Sequence, residues 1–387
     1  MIYFRQLFSL AICLTLVSCA SKPLKPENLD SLYLDNAFKS AASIESEEQI
    51  FHVSPQMKDY IAKKQKAVGG IKNKTKKFVS DLFDPNSIGI EYDHRANLTA
   101  SEAFDQGAAN CMSLTLLSYV MLKEMGFNAI IYDVSLPENW TLDEGVVLAN
   151  GHVNLKVHTP KSSHIVDALD ATVTIDFLPR SQMSILRQRA LTLDEFIALY
   201  YNNKGADALI KGDKALAYKY FKAATKKAPQ MSATWGNLAS LYRQSGYVKQ
   251  AEQVYSYAIS IDQNNLTLKE NLALLYQLTN RLNQAKKLRQ EIEIKRKNNP
   301  YYFALQADKQ YESGDYESSI ANYKKAIRLH AKEPLFLLGI AKVHIKLNQI
   351  EQAQVYLERA KEIAPNINDK AKFQSKLAIL SRQTKVP

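Results

Sequence analysis

WGNLASLYRQSGYVKQAEQVYSYAISIDQNN fills residues 235–265, and its spacing decides the fold of the C-terminal half. Trp235, Leu238, Ala239 and Tyr242 recur at helical intervals, Gly246 interrupts them, and Ala251, Tyr255 and Ala258 resume the periodicity. The pattern is a helix, a turn and a second helix. Steps of 34 residues in either direction return the same residue types. Gly205, Ala239, Ala273, Ala307 and Ala341 form one column, and Ala217, Ala251, Ala285, Ser319 and Ala353 a second. Ala224, Ala258, Ile292, Ala326 and Ala360 form a third, and the bulkier Phe221, Tyr255, Arg289, Tyr323 and Leu357 a fourth. Helices that cross closely need small residues at the crossing points and large ones to fill the gaps between them. Gly212, Gly246, Asn280, Gly314 and Asn348 stand at the turn, where left-handed backbone is cheapest for Gly and Asn. Five repeats run over 198–367 without an insertion, with Ile292 and Arg289 departing from the pattern in the third.

Trp235-x-x-Leu238-Ala239-x-x-Tyr242 followed by Ala251, Tyr255 and Ala258 resembles the tetratricopeptide repeat (TPR), and Pro229 and Pro365 match that family's proline near the repeat end. The resemblance implies an all-α superhelix whose concave face holds peptides or partner proteins. Asn202, Asn237, Asn271 and Arg243 lie on first helices and are the candidate partner-binding residues, since an Asn amide can clamp a peptide backbone. Residues 368–387 close the array, with Lys370–Arg382 reading as a polar capping helix.

Charge divides the chain as sharply as the repeats do. The net charge is +11, yet residues 198–387 hold 31 Lys and Arg against 16 Asp and Glu, while residues 1–197 hold 19 against 23. The basic half suits acidic protein partners or an anionic membrane surface, or is a solvated helical exterior. Lys63–Lys77 is a local basic run, read as a solvated helix broken at Gly69-Gly70; without interleaved aromatics it does not point to nucleic acid.

The first residues read as an export signal. Arg5 precedes the apolar stretch Leu7–Val17, which is too short to span a bilayer. It ends in Leu16-Val17-Ser18-Cys19, which resembles the bacterial lipobox. The resemblance implies cleavage after Ser18, acylation of Cys19 and a lipid anchor strong enough to hold the protein at a membrane. Ala20 after the cysteine, by resemblance to Gram-negative sorting rules, favours the outer membrane facing the periplasm. Ala20–Asn28 is polar with two prolines and reads as a tether, the lipidated segment as a whole covering 19–39.

Three cysteines are present and two of them, Cys13 and Cys19, lie in this leader, so the remainder has a lone thiol, Cys111, and no disulfide framework. Residues 40–197 read as α+β. Thr99-Ala-Ser-Glu102 is a capping box opening a short helix, and Asn110 caps a second, Cys111–Met125, closed by Gly126. Cys111 thus sits in a first helical turn, where the helix dipole favours a thiolate. Strands are expected at Asn128–Ser135, His152–Val157 (His152, Asn154 and Lys156 on one face) and His164–Ala168, which carries Asp167. Cysteine at a helix start, histidine on a strand and aspartate on another are the groups that thiol catalysis uses as nucleophile, base and orienting acid.

Gly107-Ala-Ala-Asn-Cys111 with its following helix, Gly151-His152 and Ile165-Val166-Asp167 together resemble the transglutaminase-like superfamily over roughly residues 75–180. The resemblance implies Cys111 as nucleophile, His152 as base and Asp167 as the orienting acid, with the Cys111 N–H in the oxyanion hole and Gln106 a candidate second donor. The departures are Met112 and Asn154 where the family often has aromatics, and Asp167-Ala168 in place of Asp-Pro, with Asp170 a competing acid. No metal or cofactor is expected: His94, His152, His158 and His164 lack zinc-ligand spacing. The expected fold is therefore an α+β transglutaminase-like domain followed by an all-α TPR superhelix. Two functions fit it: a membrane-anchored thiol enzyme acting on amide or ester bonds by hydrolysis or acyl transfer, and a non-catalytic envelope scaffold.

Overall fold

A computed structural model describes residues 29–65, 71–135, 140–143, 146–149, 152–158, 172–177 and 187–364, and residues 370, 373–374 and 376–377. The signal segment, Cys19, the Ala20–Asn28 tether, Asp167 with its expected strand, and Asp170 lie outside the described residues. Among those described, no helix is long and apolar enough to cross a membrane.

The N-terminal domain combines helices with antiparallel strands. Helices α1 (Glu47–Ile50), α2 (Pro55–Gln65) and α3 (Ile71–Phe83) lead to a short strand β1 (Glu91–Tyr92). Helix α4 (Ala100–Gln106) opens on Thr99, whose side chain accepts from the Glu102 N–H while the Glu102 side chain accepts from the Thr99 N–H, as the capping box requires. Gly107 ends it at φ 65°, and strand β2 (Ala108–Ala109) pairs in parallel with β1. Helix α5 (Cys111–Glu124) follows, apolar on nearly all sides and correspondingly buried. It packs on a four-stranded antiparallel sheet of order β7-β6-β3-β8, formed by β3 (Asn128–Ser135), β6 (His152–His158), β7 (Thr172–Ile175) and β8 (Arg187–Ala190). Strands β4 (Trp140–Asp143) and β5 (Val146–Ala149) make a separate hairpin.

The basic run between α2 and α3 does more than face solvent. Lys64 and Lys77 converge on the buried Asp81 carboxylate at 2.8 and 2.6 Å, and the Tyr60 hydroxyl donates to it at 2.8 Å.

The array begins inside the preceding domain. Helix α6 (Leu193–Ile210) runs through the expected boundary at 197/198, and Phe196, Ile197 and Ala198 are core residues of the N-terminal domain. The two domains share one continuous helix, capped by Thr192, whose N-terminal end contributes to the N-terminal core. The helices that follow are α7 (Lys214–Lys227), α8 (Ser232–Gln244), α9 (Val248–Ile261), α10 (Leu266–Leu278), α11 (Leu282–Arg296), α12 (Pro300–Glu312), α13 (Tyr316–Leu329), α14 (Pro334–Lys346) and α15 (Ile350–Ile363). They pair as the 34-residue columns require. Gly212, Gly246 and Gly314 turn at φ 82°, and Asn280 and Asn348 at 58° and 57°. The alanines of all three small-residue columns are buried. Phe373 and Leu377, in helical backbone, close the last pair by packing on α14 and α15, so the expected polar cap carries an apolar underside.

The segment assigned to a tether over 19–39 is docked from Leu29 onward. Leu32 and Phe38 are buried among α7, α8 and α9. Phe38 stacks on Tyr218 and Tyr242, Tyr33 stacks on Trp235, and Tyr242 donates to the Leu32 carbonyl at 3.0 Å. A tether needs polar, unpaired residues; Leu-Tyr-Leu with Phe38 buries too much apolar surface to stay free.

The array is not evenly packed. Among the described residues the apolar core of repeats one to three ends at Leu288, that of four and five starts at Tyr301, and the two share no residue. The chain shows why. Ala228, Asp262 and His330 end their helices in extended backbone, with φ of −135°, −136° and −147°. Arg296 occupies the equivalent position and remains helical, and Lys297 after it is still right-handed at φ −50°. Helix α12 packs little on α10 and α11, where the corresponding helices of the other repeats lie against each other. Arg289, in the bulky column, faces out to Gln277 and Glu270 instead of filling the gap, and Ile292 adds volume where every other repeat has alanine.

Candidate functional site

Cys111 is the first residue of α5 and partly exposed. Its seat is built from the two flanking segments. Asn110 Oδ1 accepts from the Ser113 N–H at 2.9 Å, and the Asn110 N–H donates to the Ala96 carbonyl at 3.0 Å. The Ser113 hydroxyl, fully buried, accepts from the Leu98 N–H at 2.7 Å and reaches the Ala96 carbonyl at 3.0 Å. The 94–98 loop is thereby fixed to the first turn of α5. Tyr92, on β1, has its phenol pushed up by burial and then by the Cys111 and Asp93 charges. Gln106 is exposed in the last turn of α4.

The fold brings the strand end bearing His152 to the same level. Helix α5 and β3 are joined through Gly126 at φ 84°, so they run in opposite directions. From the turn, Cys111 lies about 20 Å up the helix at 1.5 Å per residue, and Val134 about 20 Å up the strand at 3.4 Å per residue. His152 is registered opposite Val134. The N-terminus of α5 and the start of β6 thus share one end of the domain, while Val153, Leu155 and Val157 join the α5 core and strand positions 152, 154 and 156 fall on the other face of the sheet. Strand β6 pairs on its other side with β7, with Leu155 opposite Ile175. One residue on, Asn154 is fully buried and its Nδ2 donates to Asp176 Oδ2 at 3.1 Å.

The thiol platform is tied to the array. Asn97 Nδ2 donates to Asp207 Oδ2 of α6 at 3.3 Å, and the Asp207 carboxyl is pushed up by burial, against the lowering influence of Asn97, Lys211 and Lys204. Lys204, one turn earlier, bridges to Glu45 at 2.8 Å, and Glu45 also accepts from the Tyr220 hydroxyl at 2.6 Å. Docked N-terminal segment, thiol platform and first repeat meet here. Neither Asn97 nor Asp207 stands in a local pattern, and the 34-residue columns could not single them out.

On the array, Asn202 and Asn237 are brought together, Asn237 Nδ2 donating to Asn202 Oδ1 at 2.9 Å. That bond uses one amide group of each, and Asn202 is largely buried. Asn271 lies 34 residues beyond Asn237 on α10. Arg243 is half-buried beside Tyr255, its Nε without a partner among the described residues. Also among the described residues, no group of His, Cys, Asp or Glu has the geometry to hold a metal.

Two family models described as tetratricopeptide repeat match residues 232–265 and 310–380. The chain carries TPR repeats, and repeats of this kind are protein-interaction modules. A structure of PilF from Pseudomonas aeruginosa is 16% identical, covering 50% of this chain and 93% of that one, with a TM-score of 0.27. MamA from Desulfovibrio magneticus RS-1 is 13% identical over 43% and 94% of the two chains, with a TM-score of 0.25. YrrB, a TPR protein with an unusual peptide-binding site, is 12% identical over 46% and 92%, also at 0.25. No curated protein matches the chain.

Proposed function

We propose that this chain is a lipid-anchored envelope protein in which a transglutaminase-like thiol centre, Cys111 with His152, acts on amide or ester bonds of a substrate recruited by the TPR array. The observation that carries the reading is the shared level of the α5 N-terminus and the β6 start, with Cys111 partly exposed. A thiolate at a helix N-terminus is favoured by the dipole, and an imidazole brought to it from the same end of the domain completes the nucleophile–base pair. The Cys111 sulfur attacks the carbonyl carbon and a C–S bond forms. The C–N or C–O bond breaks as the imidazolium of His152 returns a proton to the leaving group. Water or an amine then takes the acyl group from sulfur. The oxyanion is held by N–H groups of the first turn of α5. Lipid on Cys19 supplies the anchor. The chain between Cys19 and the docked Leu29 can reach about 35 Å at most, which keeps repeats one and two close to the lipid.

The test is the alkylation rate of Cys111 against pH, with His152→Ala as control. A thiolate titrating well below about 8.5, and moving up in the control, supports the enzyme. A thiol indifferent to His152 overturns it and leaves the non-catalytic scaffold.

A further inference from the structure

One face of the second helix of a repeat looks onto the repeat that follows, and what covers that face changes along the array. In α9 and α13 it is apolar and packed. Ile259 joins the core that holds Leu268 and Leu272 of α10, and Ile320 and Ile327 join the core that holds Phe336 and Ile340 of α14. In α7 the face is polar, and the docked N-terminal segment covers it. The Tyr218 hydroxyl donates to Asp35 Oδ1 at 2.8 Å, Lys222 pairs with the same oxygen, Tyr33 bonds Thr225 at 3.0 Å, and Phe38 stacks on Tyr218.

The 34-residue frame carries Tyr218, Phe221, Lys222 and Thr225 to Lys286, Arg289, Gln290 and Glu293 of α11. There α12 packs little on the helix, and all four side chains are exposed. Together with Gln277, Leu282 and the buried Ala285 they line a recess of about 460 Å³. Its surroundings are cationic, since α11 carries five Lys and Arg against two Glu. Glu291 is taken by Lys269, whereas Lys286 and Lys287 have no ion-pair partner among the described residues. Arg289 Nη2 donates to Gln277 Oε1 at 2.5 Å, which holds the guanidinium at the recess. Leu282 adds an exposed apolar side chain to the same lining.

We propose that this face of repeat three is the docking site for a short acidic segment of a partner protein, one with an aromatic or aliphatic side chain close to its carboxylate. The molecule itself supplies the precedent. On the equivalent face of repeat one, Asp35 is bonded to the helix while Tyr33 and Phe38, on either side of it in sequence, pack on aromatic rings. In repeat three Lys286 stands in the place of Tyr218, so the acid meets a cation, and Arg289 supplies a second. Leu282 receives the apolar side chain. The charge selects an acidic occupant over a basic one, and the sparse packing of α12 leaves room for it. The face lies on a second helix, apart from the first-helix positions of Asn202, Asn237 and Asn271. The proposal stands on the array alone and is independent of the chemistry at Cys111.

The probe is a synthetic peptide of residues 29–42, LDSLYLDNAFKSAA, with a C-terminal fluorophore, titrated with the full chain and followed by anisotropy. The chain's own segment already covers the face on repeat one, so saturable binding is expected at repeat three. Lys286→Glu combined with Arg289→Glu, both at exposed positions, is expected to weaken binding about tenfold or more, because each attraction becomes a like-charge contact. Its helical circular dichroism should match that of wild type. A peptide with Asp30→Asn and Asp35→Asn is expected to bind wild type as weakly, and Lys222→Glu in the protein to leave the affinity where it was. The proposal is overturned if the peptide does not bind, or if the double variant binds it as wild type does. It is also overturned if Lys222→Glu abolishes binding and the double variant does not, since the peptide then displaces the segment on repeat one. A second copy of the chain is the rival occupant: a sedimentation coefficient that rises with concentration in wild type and not in the double variant would assign the face to self-association and overturn the proposal as well.

Discussion

Asn97 Nδ2 donates to Asp207 Oδ2 at 3.3 Å across 110 residues of chain, joining the loop that seats the Cys111 helix to the first helix of the TPR array. The contact couples the two domains electrostatically, because burial pushes the Asp207 carboxyl above its ordinary range. An acid whose folded pKa is raised binds its proton more tightly when folded. Stability is then lost as pH rises from the ordinary value of about 3.9 through the raised folded value, and the loss is complete above it. Asp207→Asn keeps an oxygen for Asn97 and removes the charge. It is expected to match the wild type in urea denaturation below about pH 4 and to be the more stable protein at pH 7. A variant no more stable at pH 7 than at pH 4, relative to wild type, contradicts this account.

Asp81 has the opposite sign. Burial acts to raise its pKa, but hydrogen bonds from Lys64, Lys77 and Tyr60 outweigh it and hold the carboxyl below its ordinary range. Its contribution is present above the unfolded value of about 3.9 and is lost as pH falls through the lower folded value. Asp81→Asn should cost about 2 kcal/mol at pH 7, within the range for charge-assisted hydrogen bonds. The difference should shrink steadily on acidification; a cost that is constant down to pH 2 would show that packing, not charge, sets it.

Gly205 opens the first small-residue column, and a Cβ there would stand 2.6 Å from Cε1 of Phe221 in α7. Phe221 is fully buried and cannot swing away. Gly205→Ala gains about 1 kcal/mol in helix propensity but incurs about 1–3 kcal/mol of overpacking. Net destabilisation by about 1 kcal/mol is expected, against the usual direction for a Gly-to-Ala change in a helix, and a melting temperature equal to or above that of wild type would refute it.

The docked N-terminal segment predicts a local effect. Phe38→Ala removes the ring that stacks on Tyr218 and Tyr242. Residues 29–45 should become the first site of proteolytic cutting while the array keeps its helical signal. If cleavage there is unchanged, the aromatic stack is not what holds the segment down.

The features legible in the sequence are those that repeat or act locally. The 34-residue columns announced the helix pairs, Gly212 and Asn280 their turns, and Thr99-x-x-Glu102 and Asn110 the helix starts, since each depends on neighbours within a few residues. What was hidden depends on distant partners. Leu32 and Phe38 are apolar, but only the folded chain shows that they are covered by the helices of Tyr218 and Tyr242. Asn97 and Asp207 have no local pattern at all. The 197/198 boundary was set by the repeat frame, whereas Phe196 and Ile197 belong to the core of the other domain although they lie on the same helix. At the thiol site, the order of cysteine and histidine was readable. The neighbour of β6 could not be known before the sheet was assembled, and so neither could the Asn154–Asp176 pair.

The break after the third repeat gives the last expectation. Arg296 stays helical where Ala228, Asp262 and His330 are extended, and the apolar cores on the two sides share no residue among those described. Helices of a repeat array protect each other through nearest-neighbour contacts, so a missing interface lowers the local opening free energy on both sides of it. Amides at the C-terminal end of α11 and the first turns of α12 should exchange hydrogen faster than the equivalent amides of α9 and α10, where Leu268 and Tyr257 belong to one core. Ile292→Ala restores the small residue of its column but leaves Arg296 helical, so exchange at the junction should stay fast in that variant. Uniform protection from α9 through α13 would mean that the array is packed as one block. Rapid exchange confined to α11 and α12 would mean that repeats one to three, joined to the thiol domain by α6, form one cooperative unit and that repeats four and five form another.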